Sequence, residues 1–239
     1  MTAAVRFSHY RVEGEIGRGG MGVCLPAWTW QGVLFQHVGL QDEARRSLTA
    51  ALAAYPNDSF AVPFIGQTYF AEGDYDGAQD FTERALAMDR NNLYANLFFP
   101  AIDVYRGRGQ VLVTRLRDSR ARIGDDPMFV ACEALQAAWD GRAARARALV
   151  KKALAGKSVV HAHHTVHLAV AVCATLGEPA RSVALLRKAS KIGLPSYSGF
   201  RDDPHFEALR SYRPFLMLMA ALKKECGGYQ REFGAATAP

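Results

Sequence analysis

From residue 25 onward, apolar side chains recur at spacings of three and four, the period that gathers them on one face of an α-helix. Trp28, Gly32 and Phe35 share one such face, and Ala44, Leu48, Ala51 and Leu52 share the next. Gly39 divides the two runs, and glycine readily takes the left-handed conformation that ends a helix. Pro56, Asn57 and Asp58 close the pair, because proline cannot continue a helix interior and Asn/Asp favour turns. The pattern predicts a helical hairpin over residues 25–58. It then repeats: Gly32, Phe35, Gly39, Ala44 and Ala51 return 34 residues later as Gly66, Tyr69, Gly73, Ala78 and Ala85. A second hairpin is therefore expected over 59–92, with Gly66 admitting the neighbouring helix and Tyr69 filling the space above it.

Weaker copies follow. A third hairpin is predicted over 93–127, with Tyr105 and Gly109 keeping the spacing, Thr114 at the small-residue position and Asp125, Asp126 and Pro127 closing it. A fourth, over 128–158, keeps Gly141, Ala146, Ala153 and Leu154, and a fifth, over 159–192, keeps Gly177, Leu186 and Ala189. Gly193 and Pro195 break the last hairpin, and Asp203 followed by Pro204 reads as an N-cap with proline at the first helical position. Phe206, Leu209, Phe215, Leu216, Met219 and Leu222 then predict capping helices within 193–226, which cover the apolar face of a terminal repeat. Residues 227–239 are expected to be disordered, and residues 1–24 to be non-helical and poorly ordered.

The period is that of the tetratricopeptide repeat, which the chain resembles most specifically over 59–92, although Arg90 stands where proline is usual. The resemblance implies an all-α fold: about five hairpins in a right-handed superhelix with a concave binding face. It also implies a non-catalytic scaffold for a protein or peptide partner, with no cofactor. First-helix residues line the concave side in this family. On that register the groove would be made by Phe60, Phe64, Gln67, Phe70, Asn96, Phe99, Asp103 and Arg106, joined by His164 and His167 from the fifth hairpin. So aromatic a groove suits an apolar peptide or helix. Many relatives hold a terminal carboxylate with lysine and asparagine, but Thr29, Val33, Pro63 and Gln67 occupy such positions here, so that mode is not expected.

A second resemblance lies at the N-terminus. Ser8-His9-Tyr10 leads through Val12 into Ile16 and the glycines Gly17, Gly19, Gly20 and Gly22, which resemble the opening hairpin of bacterial eukaryotic-like serine/threonine protein kinases. In such kinases Gly17, Gly19 and Gly22 would fold over nucleotide phosphates. The match stops near Ala27: Cys24 replaces an expected valine, Pro26 interrupts the second strand, and no V-A-I-K lysine, H-R-D loop or D-F-G site follows. These kinases often carry tetratricopeptide repeats after the catalytic domain. The resemblance therefore implies a kinase-repeat protein that has lost its catalytic domain, leaving a vestigial nucleotide loop and no enzyme. A regulator that kept weak nucleotide binding is the alternative, and a decayed product without a partner is another.

Composition narrows the rest. No stretch reaches the roughly 20 uncharged apolar residues needed to span a bilayer; the longest candidate, 159–176, contains four histidines. The N-terminus lacks an apolar signal core, and Cys24, Cys132, Cys173 and Cys226 show no paired spacing, so a reduced, cytoplasmic protein is expected. Charge divides unevenly, with 7 basic and 11 acidic residues in 1–100 against 22 and 12 in the remainder. Arg115, Arg117, Arg120 and Arg122, and then Arg142, Arg145, Arg147, Lys151 and Lys152, make a basic face open to nucleic acid or another anion. Aromatic residues do not interleave with it, so nucleic acid ranks low. His161, His163, His164 and His167 cluster without a nearby acidic residue or an H-E-x-x-H motif; they read as a polar stripe, with no metal expected.

Overall fold

The computed structural model describes residues 5–7, 10–12, 25–158 and 162–233. Among them, strands β1 (Val5–Phe7) and β2 (Tyr10–Val12) form a small antiparallel ladder, and all other elements are helical. The glycine loop at Gly17, Gly19 and Gly22 lies outside the described residues.

Ten helices form five consecutive hairpins. They are α1 (Leu25–His37) with α2 (Gln41–Ala54), α3 (Val62–Ala71) with α4 (Tyr75–Met88), α5 (Leu93–Tyr105) with α6 (Gly109–Ile123), α7 (Pro127–Trp139) with α8 (Ala143–Ala155), and α9 (Ala162–Thr175) with α10 (Pro179–Lys191). A glycine with positive φ turns each hairpin: Gly39, Gly73, Gly107, Gly141 and Gly177, at +87°, +82°, +68°, +72° and +70°. L-residues rarely adopt that region, so the turn fixes glycine. In the third hairpin the turning glycine is Gly107, not the expected Gly109, which instead opens α6. Gly66 lets α3 and α4 approach so closely that a Cβ there would sit 3.0 Å from the Ala78 carbonyl oxygen. Asp74, Asn92 and Asp126 cap α4, α5 and α7 by accepting backbone N–H bonds from Gly77, Ala95 and Met128.

The largest core runs from α5 to the C-terminus around Phe129, Leu135, Leu186 and Phe206, and a smaller one joins the first three hairpins through Val33, Leu48, Phe64 and Tyr94. After α10 come α11 (Tyr197–Asp202), a 3-10 turn (Pro204–Leu209) and α12 (Arg213–Phe233). Phe215, Leu218, Met219 and Leu222 of α12 complete the large core.

The disorder expected over 227–239 is corrected for 227–233, where α12 continues through Gly227 and Gly228 to Phe233; residues 234–239 lie outside the described residues. Two helical glycines cost about 1 kcal/mol each relative to alanine. Packing offsets this, because Tyr229 is buried against Phe35, Val38, Leu40 and Ala44 of the first hairpin, with Phe233 and Cys226 beside it. The Phe35 and Phe233 ring centroids are 6.3 Å apart. One helix therefore touches both the last hairpin and the first. A second tie lies alongside, where the Ser198 hydroxyl donates to the Gly39 carbonyl oxygen at 3.0 Å.

Candidate functional site

First helices of all five hairpins converge on one cavity of about 60 Å³. Its wall includes Gln36 from α1, Gln67 and Phe70 from α3, Phe98, Ala101 and Tyr105 from α5, Met128 from α7, and His164 and His167 from α9. Phe200 and Asp203, from α11 and the residue after it, close it from the C-terminal side. Helices from every repeat meet only on the inner side of a solenoid, so this is what remains of the concave groove once the chain's own C-terminal segment has entered it.

Two features give the cavity polar character. The Gln36 side-chain amide donates to Gln67 Oε1 at 3.1 Å, while Gln36 Oε1 and Gln67 Nε2 are buried without a hydrogen-bond partner among the described residues. Native interiors satisfy nearly all such groups, so an orphaned acceptor and donor on one wall suit a guest that supplies the complement. The second feature is Asp203, whose side chain is 2% exposed. Tyr105 donates its hydroxyl to Asp203 Oδ2 at 2.9 Å, and the His205 backbone N–H donates to Oδ1 at 2.8 Å. His167 Nε2 lies 2.9 Å from Oδ2 and His205 Nδ1 3.1 Å from Oδ1. Trp139 stacks on the His205 ring at a centroid distance of 5.3 Å. Burial alone would push the Asp203 pKa up, but the imidazoles of His167 and His205 outweigh it and hold the carboxyl well below the usual range. Burial, reinforced by Asp203, holds the Tyr105 phenol far above its ordinary value, so it stays protonated.

The cluster pairs an acid with two imidazoles, and among the described residues no activated nucleophile stands beside them. Burial pushes up the Cys132 thiol, and it raises that of Cys173 to about 11. Such thiols are inert at neutral pH. Asp203 instead ties the fifth hairpin (His167), the third (Tyr105) and the C-terminal segment to one point.

The structure separates the sequence-predicted groove residues. Gln67, Phe70, His164 and His167 line the cavity. Phe60 and Phe64 do not: they pack with Tyr94 at ring-centroid distances of 5.3 and 4.6 Å, between hairpins, and Trp30 lies 5.4 Å from Phe60. The expected face of α5 is corrected outright. Asn96 accepts from Arg122 of α6 at 3.3 Å, Phe99 lies 3.3 Å beneath the Arg115 guanidinium, Asp103 pairs with Arg115 at 2.9 Å, and Arg106 pairs with Asp76 at 2.5 Å. These four look toward second helices. The cavity side of α5 is Phe98, Ala101 and Tyr105, displaced by one or two residues, or about 100–200° around the helix. Adding the 34-residue period to Gln67 and Ala71 gives Ala101 and Tyr105, so the repeat itself carried the correct register.

The histidine stripe also divides. His163 does not pair with His167; it faces His37, whereas His167 meets Asp203, an acid 36 residues further on. His37, at the end of α1, went unnoticed in the sequence because nothing local links it to His163 and His164, about 126 residues away. The basic face is partly neutralised: Arg115, Arg120 and Arg147 pair with Asp103, with Asp125 and Glu133, and with Glu178.

Comparison with known proteins agrees with this architecture. The tetratricopeptide repeat profile matches residues 64–92, most of α3 and all of α4. TTC0263, a thermophilic TPR protein of Thermus thermophilus, superposes with a TM-score of 0.56 at 18% identity, over 84% of this chain and all of its own. The fold is a tetratricopeptide-repeat solenoid. A chain of the APC/C hetero-tetramer Cut9–Hcn1 gives 0.55 at 15% identity over 84% of this chain and 42% of its own. PilW, a type IV pilus biogenesis factor, gives 0.51 at 14% over 90% and 96%. No curated protein matches the sequence. No helix among the described residues is long and apolar enough to cross a membrane.

Proposed function

We propose that this tetratricopeptide-repeat protein is a non-catalytic scaffold that takes a segment of a protein partner on its concave side. The observation that carries the reading is the pair of orphaned amide groups, Gln36 Oε1 and Gln67 Nε2, on a wall to which every repeat contributes. A small polar side chain of a peptide, offering one donor and one acceptor, satisfies such groups. At about 60 Å³ the cavity admits a small side chain or a few waters, far short of the roughly 300 Å³ of a small-molecule pocket. The partner therefore anchors one small polar side chain inside and lies across the lip formed by Phe70 and Tyr75, displacing part of α11 for a longer contact.

Two substitutions test the reading with opposite signs on stability and binding. Replacing both glutamines by an apolar residue of similar length, Gln36→Met/Gln67→Met, removes unsatisfied polar groups and should leave stability unchanged or raise it by about 1 kcal/mol. The same variant should lose partner recovery by about tenfold or more in affinity capture from native lysate. Full recovery by this variant, together with loss by Arg145→Glu/Lys151→Glu/Lys152→Glu, would move binding to the outer basic face. Phe64→Glu and Phe99→Glu are unsuitable probes, because both side chains are core.

A further inference from the structure

We propose that His37, His163 and His164 form a site for a divalent transition-metal ion, Zn²⁺ in the first instance, that clasps the first hairpin to the fifth. The three imidazoles are buried, and their ligand nitrogens all lie within 4.8 Å of one another. His37 Nε2 is 3.2 Å from His163 Nε2 and 3.2 Å from His164 Nε2. With zinc–nitrogen bonds of about 2.0–2.1 Å, tetrahedral geometry separates two ligand nitrogens by about 3.4 Å, so both pairs already stand at metal-ligand spacing.

Tautomer chemistry favours a cation over a hydrogen-bonded triad. His163 Nδ1 lies 3.3 Å from the Ile192 carbonyl oxygen, which only accepts, so the proton sits on Nδ1 and Nε2 presents its lone pair to His37. Such an Nδ1–H···O=C bond is the usual outer support of a metal-bound imidazole. His37 Nε2 carries either one hydrogen or one lone pair, yet it meets two ring nitrogens at equal distance. A single hydrogen serves one of them well, whereas an ion between the three rings takes a lone pair from each. An all-imidazole set suits Zn²⁺, Cu²⁺ or Ni²⁺ rather than Mg²⁺ or Ca²⁺. His164 also lines the concave cavity, which gives ion and water a route to the site. Because His37 closes α1 while His163 and His164 open α9, the ion would hold together the two ends of the repeat array, beside the contact of Ser198 with Gly39.

The test uses the full chain, stripped with a chelator and titrated with Co²⁺ as a coloured stand-in and then with Zn²⁺ in competition. The expected result is one ion per chain with an intense tetrahedral-type Co²⁺ band that Zn²⁺ abolishes, and a melting temperature that rises with Zn²⁺. His37→Gln and His163→Gln should each weaken binding by about 100-fold or more and remove the thermal shift. Far-UV circular dichroism of the stripped variants checks that they fold. A wild-type chain that takes up no Co²⁺ or Zn²⁺ at one per chain overturns the proposal whatever the variants do, as does undiminished binding by folded variants.

Discussion

Asp203→Ala should cost about 3–5 kcal/mol of stability, a large fraction of what a domain of this size possesses. The substitution removes the acceptor for the Tyr105 hydroxyl and the His205 backbone N–H, and it leaves the imidazoles of His167 and His205 facing an apolar gap. It also deletes the side-chain cap of the 3-10 turn that carries Phe206 and Leu209 into the core. Asp203→Asn loses the charge but keeps one acceptor oxygen, enough for the His205 backbone N–H or the Tyr105 hydroxyl though not for both, so it should cost less than the alanine. The pH dependence follows from the direction of the shift. Since the carboxyl titrates lower in the folded chain than in the unfolded one, its contribution is complete above about pH 4, the ordinary carboxylate value. That contribution is lost as pH falls further toward the folded value. The difference between wild type and Asp203→Asn in urea unfolding should therefore shrink as pH falls below about pH 4. A loss under about 1 kcal/mol for Asp203→Ala would mean that the C-terminal segment is not held at this point.

The second large effect concerns the far end of α12. Tyr229→Ala/Phe233→Ala should lower stability by about 3 kcal/mol, the scale for deleting buried aromatic volume when one ring is fully packed and the other partly. Both rings cover the first hairpin at Phe35, Val38 and Leu40, so removing them exposes apolar surface more than 180 residues away in sequence. Hydrogen exchange gives the sharper readout: amides of α1 and α2 should lose protection together with those of the last two turns of α12. Loss confined to α12 would show that it does not brace the first hairpin.

The hairpins were readable because two local signals agreed, the three–four apolar spacing and, from Gly39 to Gly141, a glycine every 34 residues where the chain must turn with positive φ. Gly107 fits that series and Gly109 does not, so strict use of the period would have found the correct turn. The same arithmetic would have put Ala101 and Tyr105 on the concave side. Asn96, Phe99, Asp103 and Arg106 map by one period onto Val62, Ile65, Tyr69 and Glu72, which are not the groove residues of α3. Other features had no local trace. Two adjacent glycines and a polar ending made 227–233 read as disordered, whereas the first hairpin, folded against it, supplies apolar surface that helps keep it helical. His37 met His163 and His164, and His167 met Asp203, through closure of the solenoid on its own C-terminal segment. Closure of that kind is a property of how repeats stack, not of any one repeat.

The concave cavity as the partner site is tested most directly by placing a photo-activatable cross-linker in the living cell at Phe70, on the cavity lip, and separately at Val113, which is 71% exposed on α6. The account predicts one discrete protein adduct from position 70, lost when Gln36→Met/Gln67→Met is added, and none from position 113. An adduct from position 113 with nothing at position 70 would contradict it and place the interaction on the outer helices.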